Sequence, residues 1–535
     1  MKRILFFGFF IILVFGACNN ARKTEEKVEK RLDESIVDEE KFRPAFHFTP
    51  QAHWMNDPNG MFFLNGTYHL YFQYYPEDNV WGPMHWGHAT SKDMIEWQQR
   101  EIALKPDEKG YIFSGSAVYD KNNTSGLGRE NDPPVVAMFT YHDPKGEKEG
   151  KINYQSQAIA FSLDSGYTWT KYKNNPVIKN PGLKDFRDPK MTWDPIHKKW
   201  LMVLSANDRS IFYSSENLKD WQKLSEFGMQ TGAHDGVWEC PDFFPMKVED
   251  SEEIKWVLIQ SLNPGGYNGG SGTQYFIGDF DGKTFTPERN FKDLKDKHNY
   301  WLDFGRDNYA GVTWSNIPSK DGRTLFLGWM SNWLYAQEVP TEKWRSSMTL
   351  PRELTLKKTN SDYRIFSTPA RELEKYKSAI QLQSKRDQNK VVFTAPAQSD
   401  LMSNEFNFAI PLKEIKKLQF SLSNSQNDSL KFGLNTEDHQ FYVNRKKSGL
   451  IDFSDKFTQK FSTAPRIVKS DTLKVNFIVD RTSIEIFYDD GATVMTEIFF
   501  PEEPYTKFGI HADSKLEIEN MEISRINTDG KEWEK

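Results

Sequence analysis

Cysteine is almost missing from this chain. Cys18 and Cys240 are the only two among 535 residues, so a disulfide framework is excluded. Stability must come from a buried core, which a chain of this length can build. Helical periodicity is scarce. No stripe of Lys or Arg stands out and the formal net charge is −6, which argues against nucleic acid as a partner. The glycine-rich stretch 263–272 lacks the Lys-Ser/Thr ending of a phosphate loop and reads as a mobile loop; no cofactor is implied. His53, His69, His85 and His88 cluster in sequence, but their spacing matches no zinc pattern. They read as structural histidines in an aromatic-rich sheet, and no metal is expected.

Long apolar runs are missing too. Ile4 to Ala17 is uncharged and follows Lys2 and Arg3, but falls short of the roughly 20 residues that span a bilayer. Phe15-Gly16-Ala17-Cys18 places small residues directly before a cysteine. This order reads as a secretory signal over 1–17 and resembles a bacterial lipoprotein cleavage site, with Cys18 the lipid-carrying terminus. The expectation is an exported protein held at a membrane only through Cys18. Residues 18–40 are charged and free of aromatics, as in a solvated tether.

Aromatics are abundant: 14 % of the chain, with 16 Trp and 21 Tyr. Such rings suit either an aromatic-rich β core or the apolar faces of sugars. From Phe42 onward short β runs alternate with turns. Thr67–Tyr74, Lys199–Leu204, Glu253–Ile259 and Arg323–Trp329 are each rich in β-branched and aromatic residues. Ser91-Lys92-Asp93-Met94-Ile95-Glu96-Trp97 recurs as Ser162…Trp169 and as Ser215…Trp221, with a looser copy at Gly278…Phe285. A polar turn running into an aromatic, repeated every 50–70 residues, predicts propeller blades. Four copies and the strands near Leu325 predict five blades over 41–360. The charged segment within 361–380 reads as a linker. From 381 to 535 strands return while Trp is absent until Trp533, and Leu473–Asp480 and Ser483–Tyr488 alternate as in a β-sandwich.

Three segments carry carboxylates in unusual company. Trp54-Met55-Asn56-Asp57-Pro58-Asn59-Gly60 contains a turn signal that, taken alone, is an Asx-turn between strands. Asn56 beside Asp57 offers a donor to aim the carboxylate, and Trp54 offers a ring for a sugar. Arg187-Asp188-Pro189 is either a surface ion pair or a paired functional carboxylate. Trp238-Glu239-Cys240-Pro241 sets Glu239 among apolar neighbours, which would favour its protonated form. Cys240 reads equally as a buried small hydrophobe or as a weak thiol contact.

Together, in this order, these segments resemble the signature motifs of glycoside hydrolase family 32, which contains invertases, inulinases and levanases. Gln73–Pro76, Trp81–His88, Phe113–Ser116, Gly328–Trp333 and Val479–Phe487 extend the resemblance over about residues 45–530. The resemblance implies an all-β fold, a five-bladed β-propeller followed by a C-terminal β-sandwich, with the site in a funnel on the propeller axis. It also implies a retaining β-fructofuranosidase with Asp57 as nucleophile, Glu239 as general acid and base, and Asp188 stabilising the transition state. Trp54, Asn56, Gln73, Trp81, Phe113, Ser114, Arg187 and Trp333 are the implied substrate contacts. Exo action on levan or inulin by a monomer is expected, with sucrose as a further substrate; an invertase acting mainly on sucrose is a third reading. Endo-levanase action is the alternative, and a non-catalytic fructan-binding lipoprotein a remote one because all three carboxylates are present.

Overall fold

A computed structural model describes residues 40–289, 291, 298–359 and 362–528. The expected signal segment, the tether to residue 39 and Cys18 lie outside them. Four-stranded antiparallel sheets recur five times along the chain. The first holds His53–Leu64, Thr67–Tyr75, His85–Ser91 and Trp97–Leu104; the second Tyr111–Tyr119, Val135–His142, Gln155–Ser162 and Thr170–Lys171. The third holds Phe186–Asp194, Lys199–Ala206, Arg209–Ser215 and Gln222–Phe227; the fourth Val237–Lys247, Ile254–Asn263, Gly272–Phe280 and Phe285–Pro287. Tyr309–Thr313, Thr324–Met330, Arg352–Thr359 and Asp362–Pro369 make the fifth. The first strand of each sheet packs against the first strands of its two neighbours, which closes a five-bladed β-propeller.

The strand sequences fit these places. Middle strands such as Val135–His142 are buried throughout, because blades pack on both of their faces. Outer strands such as Gln222–Phe227 face water and are polar. The repeated Ser…Trp segment is the turn between the third and fourth strands of blades one to three. In each, a Ser hydroxyl accepts a backbone N–H and the Trp indole donates to a carbonyl three residues back: Trp97 to Met94, Trp169 to Gly166 and Trp221 to Leu218. Trp344 and Arg345 pair in parallel with His53 and Trp54, so a late segment seals the first blade.

Residues 362–369, placed by composition in a linker, are the outermost strand of blade five. They pair with 352–359 in full register because Tyr363, Ile365 and Phe366 have a core to enter. Arg371–Tyr376 is a short 3-10 helix, and Lys377–Ala379 already belongs to the next sheet. The remaining strands form sheets of six and seven, whose apolar faces (Phe406, Phe420, Phe477 and Phe508 among them) meet as a β-sandwich.

Charge, not only apolar surface, joins sandwich and propeller. Arg352 and Asp303 of the propeller meet Glu485 and Thr496 of the sandwich, all buried. His47 spans Asp480 (2.7 Å) and Glu485 (2.9 Å). Burial opposes the imidazolium, but both carboxylates outweigh it and raise His47 to about 9. Such a network fixes one docking geometry, since any shift would strand a buried charge.

Candidate active site

Each inner strand breaks register near the same end. The shifts fall at Met55/Pro58, Phe113/Gly115, Glu239/Asp242 and Tyr309/Val312, and opposite Arg187–Lys190 in blade three. Bulges re-aim side chains at the cost of ladder bonds. Inner strands tolerate this, and tolerate Pro58, Pro189 and Pro241, because the axial edge of each has no neighbouring strand of its own blade at that point. Asp188 (φ 61°) and Cys240 (φ 45°) adopt left-handed backbone, a strain that persists where surroundings enforce it. Thr140 Oγ1 accepts from Asp188 N (3.1 Å), and Asp188 Oδ2 accepts from Cys240 N (3.0 Å), locking the two bulges together.

The result is one pocket of about 310 Å³ into which Asp57, Asp188 and Glu239 all face. Ser114 Oγ donates to Asp57 Oδ2 (2.6 Å) and Asn56 Nδ2 to Asp57 Oδ1 (3.0 Å). The thiol of buried Cys240 points at Asp57 Oδ2 (3.3 Å) and Asp188 Oδ2 (3.7 Å), so it is both a packed small side chain and a thiol contact. Arg187 reaches Glu239 Oε1 (3.0 Å), Asp185 Oδ1 (2.7 Å) and, more distantly, Asp188. Tyr309 donates its hydroxyl to Glu239 Oε2. Asp57, Asp185, Asp188 and Glu239 therefore share a confined space with a single guanidinium, that of Arg187.

Burial raises the Asp57 carboxyl and Glu239 repels its charge, while the Ser114, Asn56 and Cys240 donors pull it back down. Asp188 is pushed up to about 7, by burial first and then by the charges of Glu239 and Asp57, against Arg187. The apolar setting expected for Glu239 is not found. Its carboxyl oxygens meet Arg187 and Tyr309, because the bulge turns the side chain away from Trp238 and toward the axis.

The Asp188 shift has a consequence for stability. With its pKa near 7 in the fold against 3.8 ordinarily, the native state binds more protons between about pH 4 and 7. Stability from this group is therefore present at low pH and lost as pH rises through 7. Asp188→Asn, which keeps the shape and removes the charge, should melt above the parent at pH 8, with the gap closing toward pH 4. Calorimetric melts across that range test it; equal melting at pH 8 refutes the burial argument.

Of the expected contacts, Asn56, Gln73, Trp81, Phe113, Ser114, Arg187 and Trp333 line the pocket. Trp54 does not. It is fully buried, packed edge-on against Trp329 and tilted against Trp333, and donates its indole N–H to Asn56 Oδ1 (2.8 Å). It aims Asn56, which aims Asp57, and offers no face to a sugar. Sequence reasoning missed Tyr309, Asp185, Tyr154, His142, Gln155, Glu147 and Gln337, which also line the pocket. His142 stacks on Phe113 at 4.2 Å and Tyr154 donates to Asp185 (3.1 Å), so these residues back the aromatic and cationic walls. Asp185, two residues before Arg187, was the one with a visible signal.

The loop 263–272, expected to be mobile, is tied down. Asn268 donates to the carbonyls of Phe304 and Thr463, and Ser271 Oγ accepts from Trp333 N (3.0 Å). The sandwich also supports the site: Arg445 donates to Asp307 (2.7 Å) and Tyr335 (2.7 Å), close in sequence to Tyr309 and Trp333. His69 and His88 stack with Phe62 and Tyr71 as part of the core between blades one and two. Burial lowers His69 to about 4.

Comparison with known proteins places these features. The model of the glycosyl hydrolases family 32 N-terminal domain matches residues 47–369, and that of the family 32 C-terminal domain residues 370–525. A levanase of Bacillus subtilis (strain 168) is 46 % identical over 479 residues, covering 88 % of this chain and 68 % of its own. An extracellular exo-inulinase of Aspergillus niger is 37 % identical over 495 residues, covering 86 % of this chain and 90 % of its own. The crystal structure of exo-inulinase from Aspergillus awamori superposes with a TM-score of 0.82 at 33 % identity, over 91 % of this chain and 98 % of that one.

Proposed function

Because this chain belongs to glycosyl hydrolases family 32, we propose that it is a fructan-hydrolysing β-fructofuranosidase that removes terminal fructosyl units with retention. One observation carries this reading: three carboxyl groups from three blades face the same pocket of about 310 Å³. A pocket that small suits a chain end rather than the middle of a polymer.

Asp57 is the nucleophile. Its two oxygens are held by Ser114, Asn56 and Cys240, which fixes its direction of attack on the anomeric carbon. Glu239 protonates the departing oxygen and then activates water. Of the other two carboxyl side chains, Glu239 is 21 % exposed and Asp188 6 %, so Glu239 faces the leaving group and Asp188 faces the bound ring. Burial and the neighbouring charges push Asp188 up to about 7, so the pocket holds a proton beside Glu239 near neutral pH. Asp188 and Arg187 hold the fructosyl hydroxyls as positive charge develops on the ring. Trp81, Phe113 and Trp333 form the apolar wall.

A product time course on levan and inulin tests the end-on reading. Free fructose alone from the first minutes is expected. An early ladder of oligosaccharides replaces it with endo action.

The enzyme is exported. We read Cys18 as its lipid attachment point, on the strength of Phe15-Gly16-Ala17-Cys18 behind the apolar run. Cys18→Ser should move activity from the membrane fraction to the soluble fraction. Activity that stays with membranes refutes the anchor.

A further inference from the structure

The inner strands run from the candidate active site to the opposite mouth of the propeller. There a second pocket of about 290 Å³ opens, close in volume to the first. Its walls are aromatic. Trp193 is 41 % exposed, unusual for a side chain of that size, and its neighbour Trp200 braces it edge-on at 5.0 Å. Tyr119 lines the same pocket. A held, exposed indole is a platform for an apolar ring face.

The floor is polar. Asp242 is 1 % exposed and commits Oδ2 to Thr313 N, Thr313 Oγ1 and Lys190. Its Oδ1 is buried with no hydrogen-bond partner among the described residues. An orphaned carboxylate oxygen costs stability and calls for a donor. Charge narrows the ligand. Lys190 is paired with Asp242, and Arg323 at the rim is spent on Asp321, Glu353 and Glu372. With the cations neutralised, an anion gains little, and the exposed indole asks for a flat apolar face. A neutral ring bearing hydroxyl donors meets both requirements.

We infer that this far mouth is a second saccharide-binding site, in which a sugar ring rests on Trp193 and a hydroxyl donates to Asp242, holding a distant part of the polymer whose end is being cleaved. The inference rests on the fructan-hydrolase reading for the identity of the sugar. Asp188 and Trp193 are five residues apart on one strand, roughly 16 Å at the usual rise. A polymer must pass around a blade to reach both, so short oligosaccharides engage one site at a time. Holding the polymer twice raises its local concentration at the active site.

The test uses Asp57→Asn, which does not consume the polymer, with and without Trp193→Ala, by electrophoresis in native gels containing levan or inulin. Trp193→Ala should weaken retardation in at least one of the two, with the apparent Kd rising about fivefold or more. In the otherwise unaltered enzyme, Trp193→Ala should raise KM for that polymer and leave kcat, and KM for a fructosyl trisaccharide, unchanged. Equal retardation in both gels, or a KM unchanged on both polymers, overturns the site. The fructan reading fails separately, if the unaltered enzyme releases no fructose from either polymer; Trp193-dependent retardation then still decides the site by itself.

Discussion

Asp57→Asn should lower kcat on levan or inulin by about 10⁴-fold or more, with KM little changed. The substitution is nearly isosteric. Asn56 and Ser114 remain to hold the side chain, and the fructosyl pocket keeps its walls. What disappears is the only carboxylate placed to form a covalent bond to the anomeric carbon on the proposed assignment. Residual turnover then depends on water and on the charge of Asp188 and Glu239, neither of which supplies the lost bond. The same change removes a buried carboxylate whose pKa is raised by burial and by Glu239, so the variant should be no less stable than the parent at neutral pH. Loss of activity with intact melting therefore separates chemistry from folding. Steady-state kinetics paired with calorimetry decides it: more than a tenth of parental kcat means that another group attacks.

The three carboxylate segments stood out before any fold was known, but each alone reads also as a turn or an ion pair, and only their joint resemblance to the family pointed to roles. Asp57-Pro58, Asp188-Pro189 and Cys240-Pro241 each combine a pocket-lining residue or its neighbour with a proline, and the prolines mark the axial edges where bulges are tolerated. The Ser…Trp turn was legible as well, since its hydrogen bonds lie within three or four residues. What stayed hidden depends on contacts between blades. Trp54 looks like a sugar platform in sequence and is buried in the fold, because the seal by Trp344–Arg345 and the packing of Trp329 and Trp333 come from nearly 300 residues away. Tyr309 has no local motif; its partner Glu239 is 70 residues distant. Glu239 shows the same limit in reverse. Its sequence neighbours are apolar, yet the bulge delivers it to Arg187 and Tyr309, so neighbours along the chain are a poor guide to electrostatics at a propeller axis. The strand 362–369 was hidden by its charged flanks, while its buried residues face a core that only the closed ring creates.

Glu239→Gln should cost about 10²–10⁴-fold in kcat on fructans, and the size of the loss should depend on the leaving group. A sugar oxygen leaves only with a proton, so the amide variant stalls at the first step. Fructosyl fluoride carries a leaving group that needs no acid, and its first step should run close to the parental rate. The second step then limits, because the amide at position 239 cannot activate water, and a fructosyl ester on Asp57 should accumulate as an early burst followed by slow turnover. Azide, which attacks without a general base, should restore turnover on the fluoride and not on levan. The alternative assignment of acid to Asp188, whose carboxyl holds a proton up to about pH 7, predicts the same signature for Asp188→Asn instead. Two structural facts favour Glu239. It is the more exposed of the pair, and its two partners, Arg187 and Tyr309, come from different blades, so substrate can displace one without releasing the other. Asp188 is fixed by its own backbone strain and by Cys240 N, which suits a group that must hold a ring in place and not one that must hand over a proton. If azide rescues Asp188→Asn and leaves Glu239→Gln inert, the two roles are exchanged.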